Sequence, residues 1–410
     1  MLYHAYEMTH AALAPMRQFA RFHRDALKST SNPLVESYGS RVSAAGLDMF
    51  IKATKRYAKP EFGLDNTVIN GVEVPVVEEV ALRLPFCDLL HFKRGTSVKA
   101  QKLLIIAPLS GHYATLLRGT VKEMLPEHDI YITDWTDGRD VPLSAGDFDL
   151  DDYVDYLIQF CDKLGEDGER PAVLAVCQPG VPMLVAASLM AADKSPNRPS
   201  SVTLMGSPID TAISPQQPND LAMAKPLSWF ENNVITRVPW PNLGVMRKVY
   251  PGFLQLSGFM SMNLDRHVEA HKDHFNDLIK GDGDSTEAHR KFYDEYMAVM
   301  DLSADYYLQT IERVFQKRLL AEGAYYYRNI HVDPSKITDI ALMTVEGEKD
   351  DITGLGQTEA AHRLVSLPEN MRAHYVQDSV GHYGVFNGSR WRGKIAPKVK
   401  AFISAHRANG

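Results

Sequence analysis

The chain has 410 residues, of which 45% are hydrophobic and 23% are charged, and its formal net charge is -7. This composition is ordinary for a globular protein, and the weakly acidic balance gives no electrostatic reason to expect nucleic acid as a partner. No run approaches the roughly 18 consecutive apolar residues of a membrane span, and we expect no secretory leader because the first 24 residues lack its pattern. Cys87, Cys161 and Cys177 are too few and too widely spaced for a disulfide framework, which favours a reducing cytoplasm.

The first two hundred residues pass from helices to an alternating pattern. Apolar residues at helical spacing predict helices over residues 1–27 and 33–57. Short apolar runs then alternate with helical segments, which implies βαβ units and a mostly parallel sheet. The predicted strands are 77–84, 103–107, 130–133, 171–176 and 201–205, and the predicted helices are a segment ending at 123, 150–164 and 181–192.

The β pattern stops between about residues 210 and 335, where the sequence is helical in character and rich in aromatics and prolines. It resumes at 340–345 and 373–376, and a last helix is predicted near 395–406. We therefore expect a helical N-terminal extension (1–65), a first part of an α/β core (66–209), an inserted helical cap (210–335) and a second part of the core (336–410). Such a cap would cover the sheet edge at which open α/β sheets bind ligands.

The sequence VLAVCQPG at residues 173–180 leads from an apolar strand to one nucleophilic side chain, Cys177, and then to a helix rich in small residues. This pattern is typical of a nucleophile elbow, although Ala175 replaces the first glycine of G-x-S-x-G and Gly180 stands one position late. A helix N-terminus favours a thiolate, and the backbone N–H of Gln178 is a candidate oxyanion donor. The alternative is a small buried hydrophobic cysteine at a strand end.

Two later segments offer an acid and a base. Asp350 lies three residues after Gly347, at the end of a predicted strand, and the adjacent Asp351 is the rival acid; both also fit a solvated turn. His382 lies after a strand-like run in a segment with Gly381 before it and Gly384 after it, where a general base would be accessible, although a structural histidine is the alternative. The order Cys177, Asp350, His382 is the nucleophile, acid, base order of the α/β-hydrolase fold, which we therefore predict.

Further segments were weighed for oxyanion, metal and substrate sites. The sequence APLSGH at 107–112 follows a predicted strand, where this fold supplies a second oxyanion N–H from Leu109 or Ser110, unless it is a plain loop. The histidines at 267 and 271, with a third at 274, lack the glutamate that H-E-x-x-H requires, and GDGD at 281–284 predicts a turn, so no metal is expected. One aromatic set either lines an apolar groove or forms the core of the cap. This set is Trp229, Phe230, Trp240, Phe253, Tyr325, Tyr326 and Tyr327.

The segments VCQPG at 176–180 and GHYGVFNGSRW at 381–391 resemble the intracellular poly(3-hydroxybutyrate) depolymerases, and the resemblance covers nearly the whole chain. It implies a cysteine in place of the usual serine, with Cys177 as nucleophile, Asp350 as acid, His382 as base and no cofactor. It also implies hydrolysis of amorphous polyester in storage granules to 3-hydroxybutyrate and its oligomers. The expected location is therefore cytoplasmic and granule-associated, with the polymer granule as partner. The N-terminal helices could pack on the core or mediate a homodimer.

Other functions remain compatible with these motifs. Asp134, Trp135 and the segment 151–153 are also similar to the polyester synthases, which share the fold and the cysteine, but Ala175 departs from their G-x-C-x-G elbow. The alternatives are a polyhydroxyalkanoate synthase-like acyltransferase, a hydrolase of small esters or thioesters, and a granule-binding protein without activity. The sequence assigns no substrate-binding residues.

Overall fold

The computed structural model describes residues 2–262, 269, 272, 275, 278 and 293–407. It begins with three helices, α1 (Leu2–Ala12), α2 (Ala14–Lys28) and α3 (Tyr38–Thr54). The helical segment predicted over 1–27 is divided into α1 and α2, because Pro15 has no N–H to continue the helical ladder and instead sits in the first turn of α2. The guanidinium of the buried Arg17 donates to the carbonyls of His10 and Thr54, both at 2.9 Å, and so ties the three helices together.

A nine-stranded sheet forms the centre of the protein, in the order β1-β2-β3-β5-β4-β6-β7-β13-β14. Strands β1 to β3 pair antiparallel with one another, and β3 pairs antiparallel with β5, whereas the remaining neighbours are parallel. The predicted mostly parallel sheet is therefore confirmed. Its strands are β1 (Asn66–Ile69), β2 (Val72–Leu84), β3 (Cys87–Arg94), β4 (Gln101–Ile106), β5 (His128–Trp135), β6 (Ala172–Val176), β7 (Ser201–Met205), β13 (Ala341–Gly347) and β14 (Arg372–Gln377).

The central parallel strands are covered by helices on both faces, which is why β6, β7 and β13 are buried along their whole length. Helix α5 begins with a capping box in which the Asp149 side chain accepts from the N–H groups of Asp151 and Asp152. The helices of the α/β core are α4 (Arg118–Met124), α5 (Leu150–Gly165), α6 (Gly180–Ala192), α11 (Ala361–Leu364), α12 (Gly388–Arg390) and α13 (Ala396–Ala405).

The chain between β7 and β13 contains short strands as well as helices, so the purely helical cap predicted for residues 210–335 is incomplete. Strands of two or three residues carry too little pattern to be recognised in a sequence. The helices are α7 (Gln217–Ala224), α8 (Leu227–Asn233), α9 (Gly252–Met262) and α10 (Ala304–Gln309), the last continuing as a π-helical turn (Thr310–Gln316). The strands are β8 (Thr236–Arg237), β9 (Lys248–Tyr250) and β10 (Leu302–Ser303) in one small sheet, and β11 (Tyr326–Tyr327) and β12 (Ile330–His331) in a ribbon.

Some sequence-based expectations concern residues that the structure leaves out. The histidines at 267, 271 and 274 and the GDGD segment at 281–284 lie outside the described residues. Within the described ranges, no helix is both long and apolar enough to cross a membrane.

Candidate active site

Cys177 occupies a strained turn directly after β6. Its φ is +67°, a left-handed conformation that a residue with a side chain adopts at a cost in free energy. The turn is held in place because the Cys177 N–H donates to the Met205 carbonyl at 2.7 Å, and α6 begins three residues later. This is the geometry of a nucleophile elbow, in which the strain keeps the side chain at the carboxyl end of the sheet.

Asp350 and His382 meet at the same edge of the sheet. Asp350 follows the end of β13 by three residues, and its Oδ2 lies 2.8 Å from His382 Nδ1. Its other oxygen, Oδ1, accepts from the N–H groups of Ile352 at 2.9 Å and Thr353 at 2.8 Å. The carboxylate is therefore fixed by three hydrogen bonds. Of the two acids weighed from the sequence, Asp350 is the one in contact with the histidine.

The imidazole of His382 lies between two partners. It is 4% exposed, so burial by itself lowers its pKa, but the charges of Asp350 and Cys177 and its hydrogen bonds to both side chains raise the pKa well above the ordinary value. A chain of contacts thus runs from Cys177 through His382 to Asp350. This arrangement can move a proton from a thiol to an imidazole while the carboxylate stabilises the imidazolium.

The other two cysteines differ from Cys177 in accessibility. Cys87 and Cys161 are fully buried, and burial raises the pKa of Cys161 to about 12 and that of Cys87 well above its ordinary value. Cys177 is half-buried and lines a cavity. Because thiolates are the reactive form, reagents for thiols should select Cys177.

Three backbone N–H groups are available beside the elbow. Those of Leu109, Ser110 and Gln178 donate to no group in the part of the chain that the structure describes. Leu109 and Ser110 belong to the segment 107–112, which we call the oxyanion loop, and both residues line the cavity together with Gln178. Unsatisfied N–H groups beside a nucleophile are what an oxyanion hole requires.

The oxyanion loop is held by hydrogen bonds at two points. At its start, Ala107 donates its N–H to Thr133 Oγ1 and accepts from Trp135 Nε1, both at 2.9 Å. Further along, the Tyr306 hydroxyl from α10 donates to the Leu109 carbonyl at 2.9 Å. In a trans peptide the C=O and the following N–H point in opposite directions, so this contact also fixes the direction of the Ser110 N–H.

Cys177, His382 and residues of the oxyanion loop line a cavity of about 570 Å³ between the sheet edge and the inserted region. Its wall is mostly apolar, which suits an apolar ligand with few polar groups. Of the aromatic residues expected to line a groove or form the core of the cap, some fit one of these alternatives and others fit neither. Phe230 lines the cavity and Tyr325 is buried in the core, whereas Trp240 is 82% exposed. The large apolar and aromatic residues of the lining are Leu109, Leu116, Leu221, Phe230, Tyr250, Leu302, Tyr306, Tyr307, Ile311, Phe315, Ile352, Tyr383 and Phe386.

Two close-packed glycines lie around this site, of which the sequence analysis identified Gly180 as part of the elbow motif and missed Gly206. Gly206 has a φ of +56°, and a Cβ there would lie 3.2 Å from His382 Cε1 and 3.4 Å from Asp350 Oδ2. A Cβ on Gly180 would lie 2.4 Å from Ser207 Cβ, which explains why a glycine stands one position late in the elbow motif. Tyr306 was also missed. Gly206 and Tyr306 carry no local sequence signal, because their partners are distant in the chain.

Residues 206–407 match the family model described as the PHB de-polymerase C-terminus, where PHB is poly(3-hydroxybutyrate). The chain belongs to the PHB depolymerase family. The matched segment of this depolymerase-family protein includes Asp350 and His382, whereas Cys177 lies before it. The α/β-hydrolase fold predicted from the sequence is confirmed by the order of its sheet and by the elbow after β6.

Solved structures similar to this PHB depolymerase-family chain share little sequence with it. DcsB in complex with its substrate analogue is 14% identical over 82% of this chain and 100% of its own, with a TM-score of 0.47. A putative lipase (lip1) from Acinetobacter baumannii AYE is 13% identical over 80% and 93% of the chains, with a TM-score of 0.42. A thermophilic esterase from Thermogutta terrifontis is 13% identical over 84% and 98%, with a TM-score of 0.41. No curated protein matches the chain.

Proposed function

We propose that the protein is an intracellular depolymerase that hydrolyses the ester bonds of amorphous poly(3-hydroxybutyrate) in storage granules. The observation that carries the proposal is the contact chain from Cys177 through His382 to Asp350, of which Cys177 and His382 line an apolar cavity, in a chain of the PHB depolymerase family. The products are 3-hydroxybutyrate and its oligomers. The enzyme acts in the cytoplasm at the granule surface.

The reaction begins when His382 takes the proton of Cys177 and the thiolate attacks an ester carbonyl carbon. The carbonyl oxygen becomes an oxyanion, which the N–H of Gln178 and that of Leu109 or Ser110 stabilise. Collapse of this intermediate breaks the bond to the alcohol, which receives the proton from His382. A thioester on Cys177 and a shortened polymer carrying a free hydroxyl remain.

The second half of the reaction releases the acyl group. His382 removes a proton from water, and the resulting hydroxide attacks the thioester through a second oxyanion. The Cys177 thiolate leaves and is reprotonated. Throughout, Asp350 keeps the proton of His382 on Nδ1, so that Nε2 is the atom that exchanges protons with the thiol, the alcohol and water.

The apolar cavity fits a polyester because that substrate carries no charge and repeats only esters and short hydrocarbon units. Aromatic and aliphatic walls bind such a chain by burial of apolar surface. Esters and thioesters have similar reactivity, so a cysteine can perform this exchange where an amide would require more help for its leaving group.

The test is the release of 3-hydroxybutyrate from freshly prepared amorphous polyester granules by the purified protein, with and without alkylation by iodoacetamide. We expect release by the unmodified protein, and loss of release after alkylation and in Cys177→Ala. Cys161→Ala is the matched control, since it removes a thiol from the buried core and should stay active and alkylation-sensitive. No release by the unmodified protein, or full activity of Cys177→Ala, would contradict the proposal.

A further inference from the structure

Helix α7 borders the cavity where the cavity meets solvent. Four of the residues that line the cavity are exposed, and the other lining residues are buried or half-buried. The exposed four are Gln217, Asp220 and Leu221 of α7 and Gly258 of α9, and we call them the rim. Because three of the four belong to α7, a ligand too long for the cavity would leave it beside this helix.

Leu221 belongs both to the cavity wall and to the outer surface. Pro218, Leu221 and Ala222 all line the cavity and have the spacing of one helix face, so this face of α7 is turned towards the cavity. Leu221 is 48% exposed, and among the residues that the structure describes it is the one exposed large hydrophobic residue that also lines the cavity. Leu243, which is 70% exposed, lies outside the lining. The apolar wall thus continues across Leu221 to the surface.

Helix α7 is held at both ends, so the rim has a fixed position. Near its start, the Gln357 amide donates to Asn219 Oδ1 at 3.1 Å. At its end, the amide of Gln316, the last residue of the π-helical turn, donates to the carbonyls of Ala222 at 2.9 Å and Lys225 at 2.8 Å. A surface that is already in place binds a chain without a further cost for ordering the helix.

The charge and the size of the cavity indicate what crosses the rim. Within the described residues, no lysine or arginine lines the cavity, and the acid in the lining is Asp220 at the rim. An anionic ligand would find no countercharge there, whereas an uncharged ester chain needs none. The volume of about 570 Å³ is that of a pocket for one drug-sized molecule, so a polymer must extend beyond it.

We propose that the uncharged polyester chain leaves the cavity across Leu221, so that α7 binds the units of the polymer that lie beyond the cavity. The inference rests on the proposed function. Its consequence is a preference for long uncharged chains over short ones, because only a long chain covers the exposed part of Leu221. Covering about half of a leucine side chain should favour the longer chain about fivefold in kcat/KM.

The experiment compares kcat/KM per ester bond for the methyl esters of the 3-hydroxybutyrate dimer and hexamer, followed by acid release in a pH-stat. We expect the unmodified protein to prefer the hexamer, and Leu221→Ser to lower the hexamer-to-dimer ratio about fivefold. Leu221→Met keeps an apolar side chain and should retain the ratio. Leu243→Ser is the matched control, because it removes a more exposed leucine from outside the lining and should also retain the ratio. Leu221→Gln repeats the test if the serine variant melts at a much lower temperature.

The outcomes separate the inference from the function on which it rests. Hydrolysis of both oligomers without a preference for the hexamer overturns the role of Leu221 and leaves the hydrolase intact. The same holds if Leu221→Ser and Leu221→Gln both retain the preference, or if Leu243→Ser lowers it equally. If the unmodified protein hydrolyses neither oligomer and also releases nothing from polyester granules, the proposed function fails and the inference fails with it.

Discussion

Replacing Asp350 with asparagine tests the link between the acid and the base. The change keeps the size of the side chain and the acceptor for the N–H groups of Ile352 and Thr353, so the turn should persist. It places an NH₂ group 2.8 Å from His382 Nδ1, where a carboxylate oxygen now accepts. The imidazole can meet that donor only by moving its own proton to Nε2, and the tautomer that results cannot accept the proton of Cys177.

The expected loss in kcat is large. The same change in a serine triad costs about 10⁴-fold by trapping the wrong tautomer, and we expect at least about 100-fold here because the pair is buried from water. The assay is hydrolysis of 4-nitrophenyl butyrate, with circular dichroism to check folding. Asp351→Asn is the matched control and should lose much less activity. Equal losses in the two variants, or a greater loss in Asp351→Asn, would refute the assignment of the acid.

Three further changes test the surroundings of the site. Tyr306→Phe removes the hydroxyl that donates to the Leu109 carbonyl of the oxyanion loop, and it should lower kcat for 4-nitrophenyl butyrate about tenfold with little change in KM. An unchanged kcat would show that the loop keeps its orientation without this hydrogen bond. Gly180→Ala forces a Cβ to 2.4 Å from Ser207 and should lower the free energy of unfolding in urea by about 1–3 kcal/mol, whereas Gly46→Ala, with open space around it, should not destabilise. Burial raises the pKa of Asp301 to about 7, so this carboxyl keeps a proton in the folded protein that the unfolded chain releases near pH 4. The free energy of unfolding in urea should therefore fall as pH rises between about 4 and 7, and Asp301→Asn should flatten that decline.

The parts of the fold that the sequence predicts are those in which local pattern and burial agree. Strand β6 is a continuous apolar run because both faces of the sheet are covered, and a small-residue helix follows at once, so the turn at Cys177 is visible in a window of eight residues. Strand β3 was not predicted. Its sequence, CDLLHFKR, mixes charged residues into a mostly buried strand, which obscures both the alternating and the continuous pattern.

The candidate site, like the fold, contains residues that the sequence predicts and residues that it does not. Cys177, Asp350 and His382 each follow a strand or a strand-like run, so their order along the chain predicts that they meet at one edge of the sheet. Tyr306 belongs to α10 and reaches Leu109 across 197 positions of sequence, and nothing near it in the chain marks that contact.

The most direct test of the central claim is to trap the acyl group on the protein. The protein is mixed with 4-nitrophenyl 3-hydroxybutyrate, quenched in acid and digested, and its peptides are analysed by mass spectrometry. We predict one 3-hydroxybutyryl group on the peptide that contains Cys177, removable by hydroxylamine and absent from Cys177→Ala. Turnover with the acyl group on another side chain, or undiminished turnover by Cys177→Ala, would contradict the assignment of Cys177 as the nucleophile.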